Sequence, residues 1–335
     1  MEDLPTKNIS LTLLREQQPR FTGLEAGHRA CQGCGQALAA RLVLEAAGPD
    51  TIIANATGCL EIFSSSWPES AWRTPWIHSL FENTAAVASG IEAAMRAQGR
   101  STRVLAFAGD GGTFDIGFQS LSGMLERNHS VLYVCFDNEA YMNTGVQRSG
   151  STPHGAWTTT SPVGSRTRGK KHYKKDLLSI IAAHRIPYSA TASIAYPSDL
   201  RSKVRKALGE EGSSFILIHS PCPLGWGHES HLAIEIDRLA VETGLFPLIE
   251  MEGGELTHVM PIRKKRPVID YIRPQERFRH LLEESDKAEE ERNHLQALCD
   301  FNIERYGLLL SSPEPSSRLD SQSADTVRRG GGRWT

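Results

Sequence analysis

The passage Val104-Leu105-Ala106-Phe107-Ala108-Gly109-Asp110-Gly111-Gly112, followed further on by Val131-Leu132-Tyr133-Val134-Cys135-Phe136-Asp137-Asn138, decides how the chain is read. Each half opens with an unbroken apolar run of strand length. A strand wetted on one face would alternate apolar and polar residues, so both faces of these two are covered. Between them, Gly117 to Arg127 has the spacing of a helix. Strand, helix and strand in this order form a right-handed crossover unit of a parallel sheet. Working outward, Thr51–Ala56 and Phe215–Ile218 read as further buried strands. Gln36–Ala47, Asn83–Gln98, Lys175–His184 and Pro197–Gly209 read as helices. The expected fold class is α/β, a parallel sheet with helices on both faces and a C-terminal extension.

In such sheets ligands bind beyond the carboxyl ends of the strands. The second of these strands ends in Gly109-Asp110-Gly111-Gly112 and the third in Asp137-Asn138, with 26 positions separating Gly111 from Asp137. A hard cation on a diphosphate needs a carboxylate, an amide or hydroxyl oxygen, and a backbone carbonyl or water. Asp110 and Asn138 supply the first two. The glycines allow the backbone to approach phosphate, and a helix expected from near Thr113 points its amides at the anion. A bare Gly-Asp-Gly is more often a tight turn; the strand-terminal Asn at this distance moves the reading to a magnesium-diphosphate site. The string Glu139-Ala140-Tyr141-Met142-Asn143-Thr144-Gly145 follows as a polar loop able to carry a catalytic group over it.

Composition sets bounds. The chain has 335 residues, 39% hydrophobic and 23% charged, enough for a sizeable core. With 37 Lys and Arg against 39 Asp and Glu, no overall basic field exists to hold nucleic acid or an anionic membrane. No apolar run approaches the ~18 residues of a spanning helix. Met1–Arg20 lacks the apolar core of a secretion signal, so a cytoplasmic location is expected.

Six cysteines are too few for a disulfide scaffold in a chain this long. Cys31 and Cys34 form a Cys-x-x-Cys, Cys59 ends the first strand in Ala56-Thr57-Gly58-Cys59, and Cys222 follows the fourth in Ser220-Pro221-Cys222-Pro223. These loops share one sheet edge, so the four thiolates can converge on zinc or on an iron–sulfur cluster. A thioredoxin-like pair, half of a zinc ribbon and scattered core cysteines compete with that reading. The last suits Cys135 and Cys299.

Together these strings resemble one family, the β subunits of 2-oxoacid:ferredoxin oxidoreductases, most closely the pyruvate:ferredoxin type. The resemblance runs from about Gly27 to His280. Further matching strings are Thr158-Thr159-Thr160-Ser161-Pro162-Val163-Gly164 and Pro221-Cys222-Pro223-Leu224-Gly225-Trp226. One departure is Asp137-Asn138, where the wider superfamily has a pair of asparagines. The resemblance implies a thiamine-diphosphate-binding fold, with Mg2+ on Asp110, Asn138 and the Ala140 carbonyl. It implies cofactor contacts from Thr57, Gly58, Gly109, Gly111, Gly112 and Tyr141, and a [4Fe–4S] cluster on Cys31, Cys34, Cys59 and Cys222. Asn143 is then the catalytic residue that reaches the substrate. The implied reaction is coenzyme A-dependent oxidative decarboxylation of pyruvate to acetyl-CoA and CO2, with electrons passing to ferredoxin. Branched-chain, aromatic and other 2-oxoacids are alternatives. So is a non-redox thiamine decarboxylase with structural zinc.

A carboxylate against the aminopyrimidine ring is needed as well, and no second α/β core is read here. Glu61 and Glu82 read as salt-bridge or capping residues. The resemblance places the missing domain on an α subunit, with γ and δ chains alongside. The chain divides into an arm (1–20), the main α/β domain (21–245), an extension that docks to a partner (246–310) and a disordered tail (311–335). The basic run Arg166, Arg168, Lys170, Lys171, Lys174 and Lys175 reads as a solvated loop before a docking site for an acidic partner or coenzyme A phosphates. Trp67, Trp72 and Trp76 read as packing residues, and His228 and His231 as shields of the cysteine site.

Overall fold

The computed structural model describes residues 21–66 and 69–309. The N-terminal arm, the tail from 311 and Trp67 lie outside the described residues. The strands are β1 (Thr51–Ala56), β2 (Trp76–Ser79), β3 (Arg103–Gly109), β4 (Val131–Asp137), β5 (Tyr188–Ser193), β6 (Ser214–His219), β7 (Ile249–Glu252) and β8 (Glu255–Val259). They form one sheet in the order β2-β1-β3-β4-β6-β5-β7-β8, parallel from β2 through β5. The helices are α1 (Gly35–Ala47), α2 (Cys59–Ser64), α3 (Thr84–Ala97), α4 (Phe118–Glu126), α5 (Leu177–Ala182), α6 (Pro197–Ala207), α7 (Pro223–Trp226), α8 (Ala233–Glu242), α9 (Val268–Ile272) and α10 (Asp286–Tyr306).

Both faces of the sheet are buried, as the unbroken apolar runs require. Leu105, Phe107, Leu132, Val134, Phe136, Ile216 and Ile218 pack on one side with α1 and α6. Their strand neighbours Val104, Ala106, Val131, Tyr133, Phe215 and Leu217 pack on the other with α3, α4, α5 and α8. Neighbouring strand residues thus alternate between two apolar layers, the period-2 geometry of a pleated strand.

The chain leaves β1 toward β2 on one side and β3 toward β4 on the other. The crevice beyond the carboxyl ends of β1 and β3 is therefore a topological switch point, where open α/β sheets bind ligands. Gly109 of β3 lies opposite Phe136 of β4. Asp110 and the Asp137-Asn138 pair consequently leave the sheet at the same level.

Five elements differ from the sequence reading. After Asp110 the chain enters a π turn, Gly111–Ile116, before α4, so the helical turn starts at Gly111 rather than near Thr113. β5 is Tyr-Ser-Ala-Thr-Ala-Ser, with too little apolar bulk to read as a core strand, yet it is buried throughout. β2 is only four residues long. The sheet also continues past residue 245: β7 runs antiparallel to β5, with Ser189 opposite Met251, and turns into β8 through Gly253-Gly254. Both glycines have positive φ, +58° and +93°, as a two-residue hairpin turn with right-handed strand twist requires. The antiparallel edge qualifies the expectation of a wholly parallel sheet. α10 ends the described chain; Ser285 caps it by accepting from the Ala288 amide, and Gly307 closes it at φ +60°.

Candidate cofactor site at the strand ends

One cavity opens at the switch point. Thr57, Gly58 and Cys59 line it from the end of β1, and Gly109, Asp110, Gly111 and Gly112 from the end of β3. Asn138, Ala140, Tyr141 and Asn143 line it from beyond β4, with Gln36 of α1 and Phe81 completing the wall. The structure thus brings all the expected diphosphate-site residues to one place. A side chain at Gly111 would enter the Tyr141 ring, with atoms 2.4 Å apart, so only glycine lets Tyr141 lie across this turn. The Tyr141 hydroxyl donates to the Gly111 carbonyl at 3.0 Å.

Asp110 is buried, and its Oδ2 accepts from Ser149 Oγ at 2.5 Å. The amide oxygen of Asn138 faces the Ala140 carbonyl oxygen and Asp110 Oδ1, each 2.9 Å away. In the absence of a cation, the amide turned over would donate from its nitrogen to both oxygens. The arrangement as it stands suits a cation. Mg2+ with oxygens at ~2.0–2.1 Å places neighbouring octahedral ligands ~2.9 Å apart. Burial and the neighbouring Asp137 push the Asp110 carboxyl well above the usual range, and a bound cation acts in the opposite sense.

Behind these oxygens lies a buried charged network. Asp137 Oδ1 accepts from Ser151 Oγ at 2.5 Å and from the Glu139 amide at 3.1 Å, while Oδ2 pairs with Lys174. Glu139 has φ +67°, an uncommon conformation for a residue with a side chain. It meets Arg277 at 2.7 Å, Lys174 at 3.1 Å and His219 at 3.5 Å. Burial alone would raise the Glu139 carboxyl, but Lys174, Arg277 and His219 hold it well below the usual range. Burial likewise opposes charge on His219, yet hydrogen bonds to Asp237 and Glu139 bring it to about 9. The Arg277 guanidinium lies 3.8 Å from the Trp226 ring centre, and Trp226 Nε1 donates to the Asn138 carbonyl at 2.7 Å. Trp226 sits in the short helix that begins after Cys222, so it ties the cysteine loop to the Asn138 turn.

The four cysteines gather on the same side. Cys31 and Cys34 precede α1, Cys59 opens α2 beside Gly58, and Cys222 caps α7. The Gly35 amide donates to the Pro221 carbonyl at 3.0 Å. A Cβ at Gly35 would stand 2.8 Å from Pro221 N and O, so the glycine after the second cysteine lets the two cysteine loops touch. Burial, then the neighbouring Cys222, Cys34 and Cys31, pushes the Cys59 thiol up to about 12. Burial, with the neighbouring Cys34 and Cys31, brings Cys222 to about 11, against a hydrogen bond from the Gly225 amide. Burial and neighbouring thiols thus oppose ionisation of Cys34, Cys59 and Cys222, and a cation or cationic cluster acts in the opposite sense. Among the described residues no three of the four sulfurs lie within 4.8 Å of one another. A single tetrahedral zinc at ~2.3 Å would hold its sulfurs roughly 3.8 Å apart. Binding one zinc through all four would therefore require the sulfurs to draw closer together.

Other expectations resolve as follows. The basic run is solvated only in part: Arg166, Lys171 and Lys175 are exposed, while Lys170 and Lys174 turn inward. Lys170 is buried with its ammonium on the Gly150 and Thr152 carbonyls, Lys174 pairs with Asp137 and Glu139, and Lys175 meets Asp115 at 2.7 Å. Charge alone marked this run as surface; its buried partners come from distant elements. Glu61 lies in the first turn of α2, where Oε1 accepts from Ser65 Oγ at 3.2 Å. His28 Nδ1 accepts from the Ala30 amide at 3.3 Å. Trp72 and Trp76 stack on each other, and His228 is buried while His231 is not. Cys135 and Cys299 are core residues. The sequence reading missed Ser149, Arg277 and Gln36. Nothing local marks the first two. Gln36 follows directly on the Cys-x-x-Cys-Gly string, where its position was a signal.

Residues 56–218 match the family model described as thiamine pyrophosphate enzyme, C-terminal TPP binding domain. Pyruvate synthase subunit PorB of Methanocaldococcus jannaschii is 55% identical over 276 residues, 80% of this chain and 93% of that protein. The subunit of the same name from Pyrococcus furiosus is 48% identical over 81% of this chain and 91% of its own length. Ketoisovalerate oxidoreductase subunit VorB of Pyrococcus furiosus is 50% identical over 77% of this chain and 86% of its own length. In fold, the chain is similar to a solved 2-oxoglutarate:ferredoxin oxidoreductase from Magnetococcus marinus, with TM-score 0.51, 21% identity, and coverage of 64% of this chain and 79% of the other. With identities this high over four-fifths of its length, the chain belongs to the family of pyruvate:ferredoxin oxidoreductase β subunits.

Proposed function

We propose that this chain is the subunit of a multi-chain 2-oxoacid:ferredoxin oxidoreductase that carries both magnesium thiamine diphosphate and a [4Fe–4S] cluster, with pyruvate as substrate. The observation that carries the reading is the convergence of Asp110 Oδ1, the Asn138 side-chain amide and the Ala140 carbonyl beside a cavity that also takes in Cys59. Asp110, Asn138 and Ala140 hold the metal. Gly109, Gly111 and Gly112 give the diphosphate close access to backbone, and Thr57, Gly58 and Tyr141 close the walls. Cys31, Cys34, Cys59 and Cys222 hold the cluster. The bound groups supply decarboxylation of the 2-oxoacid and a path for electrons leaving one at a time.

The chain's own part is placement and electrostatics. Asn143, exposed on the loop over the cavity, is positioned to donate to a substrate carboxylate or carbonyl. That loop is held in strained form: Val146 has φ +62° and is pinned by its amide on the Tyr141 carbonyl and its own carbonyl on the Thr159 amide. The Glu139–Lys174–Arg277 network keeps the Asn138 turn in place. An α subunit supplies the carboxylate that the aminopyrimidine ring needs, with γ and δ chains passing electrons to ferredoxin and coenzyme A accepting the acyl group. Ketoisovalerate-type relatives of similar identity support a branched-chain 2-oxoacid as the second reading.

The test is anaerobic purification with the partner subunits, analysis for iron and acid-labile sulfide, and assay of several 2-oxoacids with coenzyme A and a viologen dye. Air-sensitive visible absorbance and CoA-dependent dye reduction, fastest with pyruvate, are expected. Zinc in place of iron, or turnover by this chain alone, would refute the proposal.

A further inference from the structure

Away from the cavity, one further set of ligand-type side chains comes together among the described residues. His154 belongs to the segment between β4 and α5. Glu291 and His294 are three apart on α10 and so share one helix face. One ligand atom from each of the three lies within 4.8 Å of the other two. We propose that His154, Glu291 and His294 hold a divalent transition-metal ion, zinc by preference, that clamps the 149–175 segment to α10.

Hydrogen bonding sets the state of His154. The ring is buried, and its Nδ1 lies 2.9 Å from the Lys171 carbonyl oxygen. A carbonyl only accepts, so Nδ1 carries the proton and Nε2 presents its lone pair. Nε2 faces Glu291 Oε2, a second acceptor. Two facing acceptors require either a proton or a cation between them. A histidine anchored through one nitrogen on a backbone carbonyl, with the other nitrogen bare toward an acidic group, has the outer-sphere arrangement of a metal ligand. His294 supplies the third donor from the exposed side, its ring edge-on to His154 with centroids 5.6 Å apart. Two imidazoles and a carboxylate suit zinc and leave a fourth position for water. Magnesium and calcium, which take oxygen ligands, are poorly served. Closing to bonding range draws the ligands to roughly 3.3–3.5 Å from one another, a movement that the exposed His294 can supply.

The consequence follows from what the clamped segment carries. Ser149 holds Asp110, Ser151 and Lys174 hold Asp137, and Lys170 holds the turn between them through the Gly150 and Thr152 carbonyls. A metal at His154 fixes the middle of this segment to the C-terminal helix.

The test uses the full chain, purified anaerobically, equilibrated with zinc sulfate and desalted. One zinc more per chain is expected in the unaltered protein than in His294→Ala or Glu291→Gln, with iron equal in all three. Zinc affinity should fall by roughly 100-fold or more in the variants, since even outer-sphere partners are worth 10–100-fold. His294→Cys, which restores a zinc donor, should recover the bound ion. A chelator should speed amide exchange across 149–175 in the unaltered chain and leave His294→Ala unchanged. Because zinc taken up by the four cysteines would be common to every variant, it cancels in the comparison. Equal zinc in the unaltered chain and both variants would overturn the proposal and leave His154 and Glu291 as a proton-mediated pair.

Discussion

The oxygen-ligand end and the cysteine end of the cavity are built in opposite ways. Asp110 and Asn138 leave adjacent paired strands, and behind them Asp137, Glu139, His219, Asp237 and Arg277 are all buried and mutually hydrogen-bonded or ion-paired. The four cysteines come from three separate loops, with Cys31 exposed and the others partly buried. The Gly35 amide on the Pro221 carbonyl joins the Cys34 and Cys222 loops, and within the latter the Gly225 amide donates to Cys222 Sγ. Charges inside a protein must be paired to be tolerated, so the oxygen end has its partners built into the fold. Thiols are tolerated neutral and need no such partners, so on the proposed reading the sulfur end takes its order from the group it would bind.

That contrast can be broken or sharpened by mutation. The largest effect is expected at Arg277. Arg277→Met leaves Glu139 without its closest partner, and breaking a buried pair in this way costs about 3–5 kcal/mol. Urea denaturation should show it; a loss below 1 kcal/mol would mean that water already reaches Glu139. Next is Asp110→Asn, which should weaken magnesium-dependent thiamine diphosphate binding by ~100-fold or more, measured by titration with and without magnesium, while leaving the metal-free fold at least as stable.

The pH profile of the metal-free protein tests the same residue. With its folded pKa raised, Asp110 binds a proton more readily in the folded state, so its contribution is full below ~4, the unfolded value, and is lost as pH rises through the folded value. Glu139, with a lowered folded pKa, contributes above ~4.3 and loses that as pH falls. Subtracting the Asp110→Asn denaturation profile should isolate a stability term that falls with rising pH, and magnesium with the cofactor should reverse its sign.

At the sulfur end the effects on the fold should be smaller. Gly35→Ala forces a methyl against Pro221 and should cost ~1–3 kcal/mol, with loss of iron in proportion, seen by metal analysis beside thermal melting. Cys31→Ser, at an exposed position, should change metal-free stability by no more than ~0.5 kcal/mol yet remove most of the bound iron. A large loss of stability from Cys31→Ser would contradict the contrast between the two ends.

The strands that frame the site were legible because Val104–Gly109 and Val131–Asp137 are buried on both faces and must be apolar throughout. The Gly-Asp-Gly string and the distant Asn were legible because a site for a cation and a phosphate, as proposed, restricts residue type at each point of contact. β5 and β7 were not, since a strand of Ser, Ala and Thr, or one of four residues, owes its place to neighbours rather than to its own apolar area. Lys170 and Lys174 were misread for a related reason: a lysine turns inward only when partners are brought to it, and these are the Gly150 and Thr152 carbonyls for Lys170 and, more than 30 positions away in sequence, Asp137 and Glu139 for Lys174.

Local chemistry in the chain thus settled the layered α/β class, the order of its crossover units and the residue types able to meet a diphosphate and a thiolate-bound centre. Which oxygens stand 2.9 Å apart, which lysines are buried, and how Trp226 and Arg277 link the cysteine loop to the Asn138 turn depended on how the layers close. Strand propensity and turn chemistry act over a few residues and are written in the sequence. Ion pairing and close packing act between elements far apart along the chain, and they exist only once the sheet has set their distance and direction.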